Sequence, residues 1–429
     1  MNKTVIKRRR RILLSGTALV CTFLLFAAGH TAQAQNTEAL DTLLRDAVEG
    51  GQIPGVVAMA ATSEGVLYTG AFGVRSTAAD LPMQHDSIFR IASMTKAITS
   101  VAAMQLVEEG RIGLDDPVAP LLPFLGELQI LEGFDEDTGA PLLRPATTPV
   151  TLRHLLTHTA GFGYAFSSKR LDDAEVRRLI QHDRPDGFIH APILAEPGTE
   201  WNYGVSTDWV GRVIEVLREK ALNKVFREHI LEPLQMRDTF FKVPGGKAER
   251  RAALSRRASN GLLTELPLRP PTSSGFFSGG GGLSSTAGDY TRFMRALLRG
   301  GELDGARILK PETIALMAQN HIGELEAGTI PTVDKKTTND IDILPHSVDR
   351  FGLGFLINTE PVEGGRSAGS LAWAGINNTY YWIDPERDIC GVLMAQILPF
   401  FDEDVLNVLD AFERGVYALA PTNETRQEP

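Results

Sequence analysis

The stretch Phe89-Arg90-Ile91-Ala92-Ser93-Met94-Thr95-Lys96 opens a helical segment that runs on to Gly110. Residues three apart on a helix share a face, so Lys96 can reach the Ser93 hydroxyl. Ser93, Lys96 and Ser100 form a polar stripe, while Met94, Ala97, Ile98, Val101 and Met104 populate the buried side. The stripe is expected to point into a cleft. A serine at a helix N-terminus has free backbone N–H groups and the positive end of the helix dipole beside it, which favours an oxyanion. A desolvated lysine that has lost its proton can serve as its base. The plainer reading is a capping serine followed by an unrelated exposed lysine, and the tetrapeptide alone does not choose between the two.

Outward from this segment, strand patterns occupy the two chain ends. On the N-terminal side, Leu40 to Val48 has helical spacing and stops at Gly50-Gly51, and the strand-like runs Gly55 to Ala61 and Val66 to Phe72 flank the turn Ser63-Glu64-Gly65. On the C-terminal side, Gly352 to Ile357, Leu371 to Ala374, Thr379 to Ile383 and Cys390 to Gln396 read as strands, followed by an amphipathic helix over Val405 to Leu419. The middle, about 114–299, is mixed helix and loop with proline-rich breaks. Short connections between strands imply antiparallel hairpins. The expectation is an α/β (α+β) fold: an antiparallel sheet from both chain ends flanked by helices, with an inserted, mostly helical region. An active site between two such parts would lie in a cleft.

The first 34 residues read differently from the rest. A basic cluster, Lys7 to Arg11, precedes the apolar run Ile12 to Gly29 and the small residues Ala32-Gln33-Ala34, the order of a secretory signal peptide. The expectation is a signal over 1–34, removed by the secretory or twin-arginine route, and an exported, periplasmic or secreted domain over 35–429. An uncleaved membrane anchor is the alternative, and Val20 before Cys21 disfavours a lipid attachment there. The whole chain has 43 basic and 53 acidic side chains, a net charge of −10, and residues 1–34 carry six of the basic ones and no acid, so the remainder stands at −16. So acidic a body is a poor nucleic-acid or anionic-membrane binder. Cys390 is then the sole cysteine and lies in the apolar run Ile389 to Ala395, a core strand position with nothing nearby to lower a thiol pKa.

Further segments give the Ser-x-x-Lys tetrapeptide its context: Leu155-Leu156-Thr157-His158-Thr159-Ala160-Gly161, Trp201-Asn202-Tyr203-Gly204-Val205-Ser206, Gly279-Gly280-Gly281-Gly282-Leu283-Ser284-Ser285-Thr286, and Trp373-Ala374-Gly375-Ile376 before Tyr380 to Pro385. With the stretch around Ser93, these resemble the penicillin-recognising serine hydrolases: class C β-lactamases, DD-peptidases and family VIII carboxylesterases. The resemblance runs over nearly all of 35–429 and implies a β-lactamase/transpeptidase-like fold. It implies Ser93, Lys96 and Tyr203 as catalytic residues, with the N–H groups of Ser93 and Ile376 as oxyanion donors and no cofactor or metal. Two departures carry direction. Val205 stands where Y-x-N or S-x-N would supply an amide, and Trp373-Ala374-Gly375 resembles the W-G-G of the esterases rather than K-T-G. Gly375 still permits close backbone approach, and an indole replaces a cation suited to a substrate carboxylate. Trp373, Ala374, Gly375 and Val205 are thus the expected substrate-binding positions, for a small-molecule ester or amide. The leading expectation is an esterase working through an acyl-enzyme. A β-lactamase or D-amino-acid peptidase, a catalytically silent binding module, and acyl transfer to another alcohol are the alternatives.

Three other motifs read as bland. Gly365-Arg366-Ser367-Ala368-Gly369 matches G-x-S-x-G, but a loop precedes it and a strand follows, whereas a nucleophile elbow runs from strand to helix. His154 and His158 lack the glutamate of H-E-x-x-H and any evident third ligand. Gly279 to Gly282 is not followed by the Lys-Ser/Thr of a phosphate loop, and reads as a tight turn near the cleft.

Overall fold

The computed structural model describes residues 37–179, 184–267, 275–345 and 347–420; the expected leader, 1–34, lies outside the described residues. An eight-stranded antiparallel sheet organises the chain. Its strands are β1 (Gly55–Ala61), β2 (Val66–Ser76), β3 (Leu81–Pro82), β4 (Arg350–Phe351), β5 (Leu356–Ile357), β6 (Leu371–Gly375), β7 (Thr379–Asp384) and β8 (Ile389–Met394). The spatial order is β4-β5-β6-β7-β8-β1-β2-β3, so the two chain ends join at β8 and β1, with Met394 opposite Val57 and Cys390 opposite Ala61. The central strands β6, β7 and β8 are buried along their whole length, which is why they read as apolar runs rather than as alternating strands.

The longer helices are α1 (37–49), α2 (Thr95–Glu108), α3 (Ser206–Arg218), α4 (Ala287–Leu298) and α5 (Glu403–Leu419). Adjacent residues of a strand point to opposite faces. Tyr381 of β7 meets Tyr290 of α4 at 5.1 Å between ring centroids, and Trp382 meets Phe412 of α5 at 5.9 Å, so α4 and α5 cover opposite faces of the sheet. Cys390 is fully buried in β8, and burial pushes its thiol up to about 12, in keeping with a core residue.

α2 departs from the amphipathic expectation. Every residue from Thr95 to Leu106 is buried, because this helix fills the space between the sheet side and the helical middle, with α3 packed along it. Ser100 therefore does not extend the polar stripe into a cleft. It lies beneath Gly354, where a Cβ would stand 2.1 Å from its Oγ. The middle is built of short helices interrupted by small sheets, such as the hairpin Gln129–Phe134 with Pro141–Pro145. A strand that begins and ends in proline cannot sit inside a large sheet and carries little strand signal.

A buried ion pair ties α5 to the loop before β6. Arg366 donates from Nε to Glu413 Oε1 at 2.9 Å and from its backbone N–H to the same oxygen at 3.0 Å, and the guanidinium lies over the Trp382 ring. Ser367 next to it donates its N–H to Asp384 at 2.8 Å, so the G-x-S-x-G serine belongs to this structural cluster, on a loop leading into a strand. Removing one member of a buried pair strands the other charge. Glu413→Ala is expected to lower unfolding free energy by about 3–5 kcal/mol in urea titration; a loss under about 1 kcal/mol would contradict this role.

Candidate active site

Ser93 is set by the segments on either side of it. Before it, Phe89–Arg90 pairs antiparallel with Ser284–Ser285, and Ile91 N–H donates to the Leu283 carbonyl at 3.1 Å, which stitches the glycine turn to the approach to Ser93. Ala92 adopts φ +43°, a left-handed conformation costly for a residue with a Cβ, and local strain of this sort collects at functional sites. Ser93 then lies in a single 3₁₀ turn, Ala92–Met94, that runs into α2. On the sheet side, Gly375 ends β6 so close to Ile91 that a Cβ would stand 2.3 Å from its carbonyl oxygen. Any side chain there would push β6 away from the serine.

Lys96 is only 2% exposed, and its Nζ meets three oxygens: Ser93 Oγ at 3.2 Å, Tyr164 Oη at 3.1 Å and the Gly280 carbonyl at 2.8 Å. The Tyr203 ring centroid lies 4.7 Å from the same nitrogen. Tyr203 does not hydrogen-bond Lys96; its hydroxyl accepts from Trp373 Nε1 at 3.2 Å. Burial, with Tyr203 and Asp208 nearby, raises Tyr164 well above the ordinary phenol range and keeps it protonated.

The glycine turn closes over this group. Thr99 Oγ1 donates to the Gly279 carbonyl at 2.6 Å, Leu283 N–H donates to Thr95 Oγ1 at 3.1 Å, and Asp208 accepts from Gly280 N–H at 3.1 Å. The turn is thus held from α2 and from α3, and it presents a carbonyl to the lysine.

A cleft of about 230 Å³ opens above Ser93. Ser93, Tyr203, Trp373, Ala374 and Ile376 all line it, together with Tyr164 and Asp208. Much of the rest is apolar: Phe166, Phe188, Ile330, Ile341, Ile343 and Phe400. Ile330 faces Ile341 in a two-stranded hairpin, Thr329–Ile330 with Ile341–Asp342. The chain around the hairpin is strapped across the opening by Val333 N–H to the Phe166 carbonyl at 2.8 Å and Asn339 N–H to the Phe400 carbonyl at 2.9 Å.

Val205 alone of the expected substrate-binding positions falls outside the cleft's walls with its side chain engaged elsewhere: it is buried as the N-cap residue of α3. Gly375 acts from behind, through the close approach to Ile91. Tyr164 and Asp208 are functional candidates that sequence reasoning missed. Tyr164 lies three residues beyond the Leu155–Gly161 segment, and Asp208 is an acid in the first turn of α3, beside Ser206 and Thr207, where an acid is commonplace, so each had a faint signal at most.

The two histidines have separate structural tasks. His154 Nδ1 accepts from Thr151 N–H at 3.3 Å as part of a helix cap. His158, 1% exposed with φ +60°, accepts from Gly204 N–H at 3.4 Å and lies 4.9 Å from the Tyr203 ring.

Residues 40–413 match the protein family described as Beta-lactamase. Monacolin J acid methylbutanoyltransferase of Aspergillus terreus is 33% identical over 414 residues, covering 90% of this chain and 97% of that protein. Lovastatin esterase of Penicillium rubens is 30% identical over 403 residues, 88% of this chain and 98% of that protein. Among solved structures, unliganded simvastatin synthase from Aspergillus terreus superposes with a TM-score of 0.78 at 32% identity, covering 89% of this chain and 98% of that one.

Burial, and secondarily Lys96, hold the His158 imidazole well below its usual range. The unfolded chain takes up a proton on this residue near pH 6.5 and the folded chain does not, so stability falls as pH drops below about 6.5. Between about pH 6.5 and 5, unfolding free energy should fall more steeply in the native protein than in His158→Gln, by up to about 1.4 kcal/mol per pH unit. Equal slopes in chemical denaturation across that range would contradict this.

Proposed function

The chain belongs to the β-lactamase family of serine acyl-transferring enzymes, and from that premise we propose that it cleaves neutral carboxylic esters through an acyl-enzyme on Ser93. The observation that carries the reading is the Lys96–Ser93 contact of 3.2 Å at the base of a largely apolar cleft whose walls, among the described residues, include no lysine or arginine. Trp373 stands where a cation would greet a substrate carboxylate, and no amide occupies the place of Val205; both favour esters over penicillins and acyl-D-Ala-D-Ala.

In this mechanism Lys96 acts as a free-base amine. Its two N–H bonds go to the Gly280 carbonyl and Tyr164, and its lone pair faces the Ser93 hydroxyl. As Ser93 Oγ attacks the ester carbonyl carbon, its proton passes to Nζ. The carbonyl oxygen becomes an oxyanion held by the N–H groups of Ser93 and Ile376. The C–O bond to the alcohol then breaks, and the departing oxygen takes a proton. Lys96, which took the serine proton and lies 3.2 Å from Ser93 Oγ, is placed to hand it to that oxygen, and Tyr203, whose oxygen accepts from the Trp373 indole, is suited to hydrogen-bond the departing group from the cleft wall. Water attacks the acyl-enzyme by the reverse sequence and releases the acid. A second reading is supported by the 33% identical methylbutanoyltransferase and by the apolar walls: the acyl group passes to an alcohol rather than to water.

The test is a panel of p-nitrophenyl esters of increasing acyl length beside a chromogenic cephalosporin, with and without added alcohol. Ester turnover should far exceed cephalosporin turnover, and Ser93→Ala should lower it by about 10⁴-fold or more. Ile341→Ala should shift the preference roughly tenfold toward longer acyl chains. Ester products formed in the presence of alcohol would favour transfer. Unchanged ester turnover in Ser93→Ala, or cephalosporin turnover matching the best ester, would overturn the proposal.

A further inference from the structure

The mechanism above leaves unused a carboxylate beside the lysine. Asp208 is 1% exposed, in the first turn of α3, and also borders the cleft. Its Oδ1 accepts from Ser278 Oγ at 2.6 Å and from Gly280 N–H at 3.1 Å. Gly280 in turn offers its carbonyl to Lys96 Nζ at 2.8 Å. A Cβ on residue 280 would stand 2.4 Å from Asp208 Oδ2, so a side chain there would displace the carboxylate. With the N–H of Gly280 bound on one side and its carbonyl on the other, both peptide planes flanking it are fixed.

We propose that Asp208 is a positioning residue of the Ser93–Lys96 site: it holds the glycine turn so that the Gly280 carbonyl takes one N–H of Lys96 and aims the amine at Ser93. The inference rests on the ester-cleaving reading above and adds a residue to it. A buried carboxylate is costly without partners. Burial pushes the Asp208 carboxyl up, while Lys96, Ser278 and the Gly280 N–H pull it down again, so the same contacts that orient the turn also compensate the buried acid. The titratable groups facing Lys96 are Tyr164, which burial keeps as a phenol, Tyr203, His158, which burial keeps neutral, and Asp208.

Asp208→Ala and Asp208→Asn separate the hydrogen-bond acceptor from the charge. For the best p-nitrophenyl ester, Asp208→Ala should lower kcat by about 10- to 100-fold with KM changed by no more than about twofold. Asp208→Asn keeps an oxygen that can accept both bonds. It should hold both kcat and KM within about threefold of the native protein. A kcat within about twofold of native in folded Asp208→Ala, or a kcat in Asp208→Asn as low as in Asp208→Ala, would overturn the proposal. If circular dichroism shows Asp208→Ala unfolded, Ser278→Ala, which removes the 2.6 Å bond that steers Asp208 Oδ1, takes its place: kcat there should fall at least about threefold with KM held within about twofold, and a native kcat overturns the proposal. Ser93→Ala in the same assay distinguishes the two levels: loss of turnover there with native behaviour in the Asp208 variants removes this inference and leaves the ester reading standing.

Discussion

A lysine nitrogen buried to 2% exposure needs polar partners on every side, for its hydrogens and for any lone pair, because an unsatisfied nitrogen away from water is strongly destabilising. Lys96 meets this demand with oxygens from three separate segments: the 3₁₀ turn of Ser93, the loop of Tyr164 and the glycine turn at Gly280, with the Tyr203 ring beneath. The Ser93 turn and the glycine turn are tied down by the pairing of Phe89–Arg90 with Ser284–Ser285, by Thr95 and Thr99 of α2 and by Asp208 of α3, and the Tyr164 loop by the Val333 N–H on the Phe166 carbonyl. The position of one nitrogen is therefore specified by the sheet side and the helical middle together. Displacing any of these segments would leave the amine short of a partner.

The sheet contributes the other wall. Joining β1 to β8 brings the chain ends into one antiparallel sheet, and the neighbouring strands carry Trp373, Ala374 and Gly375 to the rim beside Ser93. Gly375 sets how close that rim can come, through its contact with Ile91. The same strand gives the indole that holds the Tyr203 hydroxyl, so the tyrosine is oriented from the sheet although its loop belongs to the middle. The apolar part of the cleft comes from the strapped hairpin carrying Ile330 and Ile341 and from Phe166 and Phe400. On the proposed function, chemistry and selectivity thus reside on different segments of the chain.

What could be read from the sequence was what depends on short range. Ser93 and Lys96 face each other because a helical turn makes them do so. Cys390 sits in an apolar strand run, and Ser367 lies between a loop and a strand; neither conclusion needed a third dimension. The longer strands, β1, β2 and β6 to β8, were legible for the same reason, as apolar runs separated by turns, whereas Gly352 to Ile357, expected as one strand, is a turn that ends in the two-residue β5. Ser100 was misjudged because α2 is buried on all sides, so its polar residues do not mark an outer face. Val205 is buried where the chain, just after Tyr203, turns into α3, a placement that the motif spacing did not disclose. Tyr164, Asp208 and the isoleucine hairpin were not legible, since each acquires its role through contacts far along the chain, and strands of two residues carry no periodicity.

The central claim is that Ser93 is the atom on which acyl groups are carried. The most direct measurement is intact-mass and peptide-mapping mass spectrometry after treatment with a p-nitrophenyl alkylphosphonate, which leaves a stable adduct on an activated serine. The account predicts one equivalent of adduct, on the peptide containing Ser93, with loss of ester turnover in parallel and no adduct in Ser93→Ala. An adduct on another residue such as Ser367, or full modification of Ser93→Ala, would contradict it.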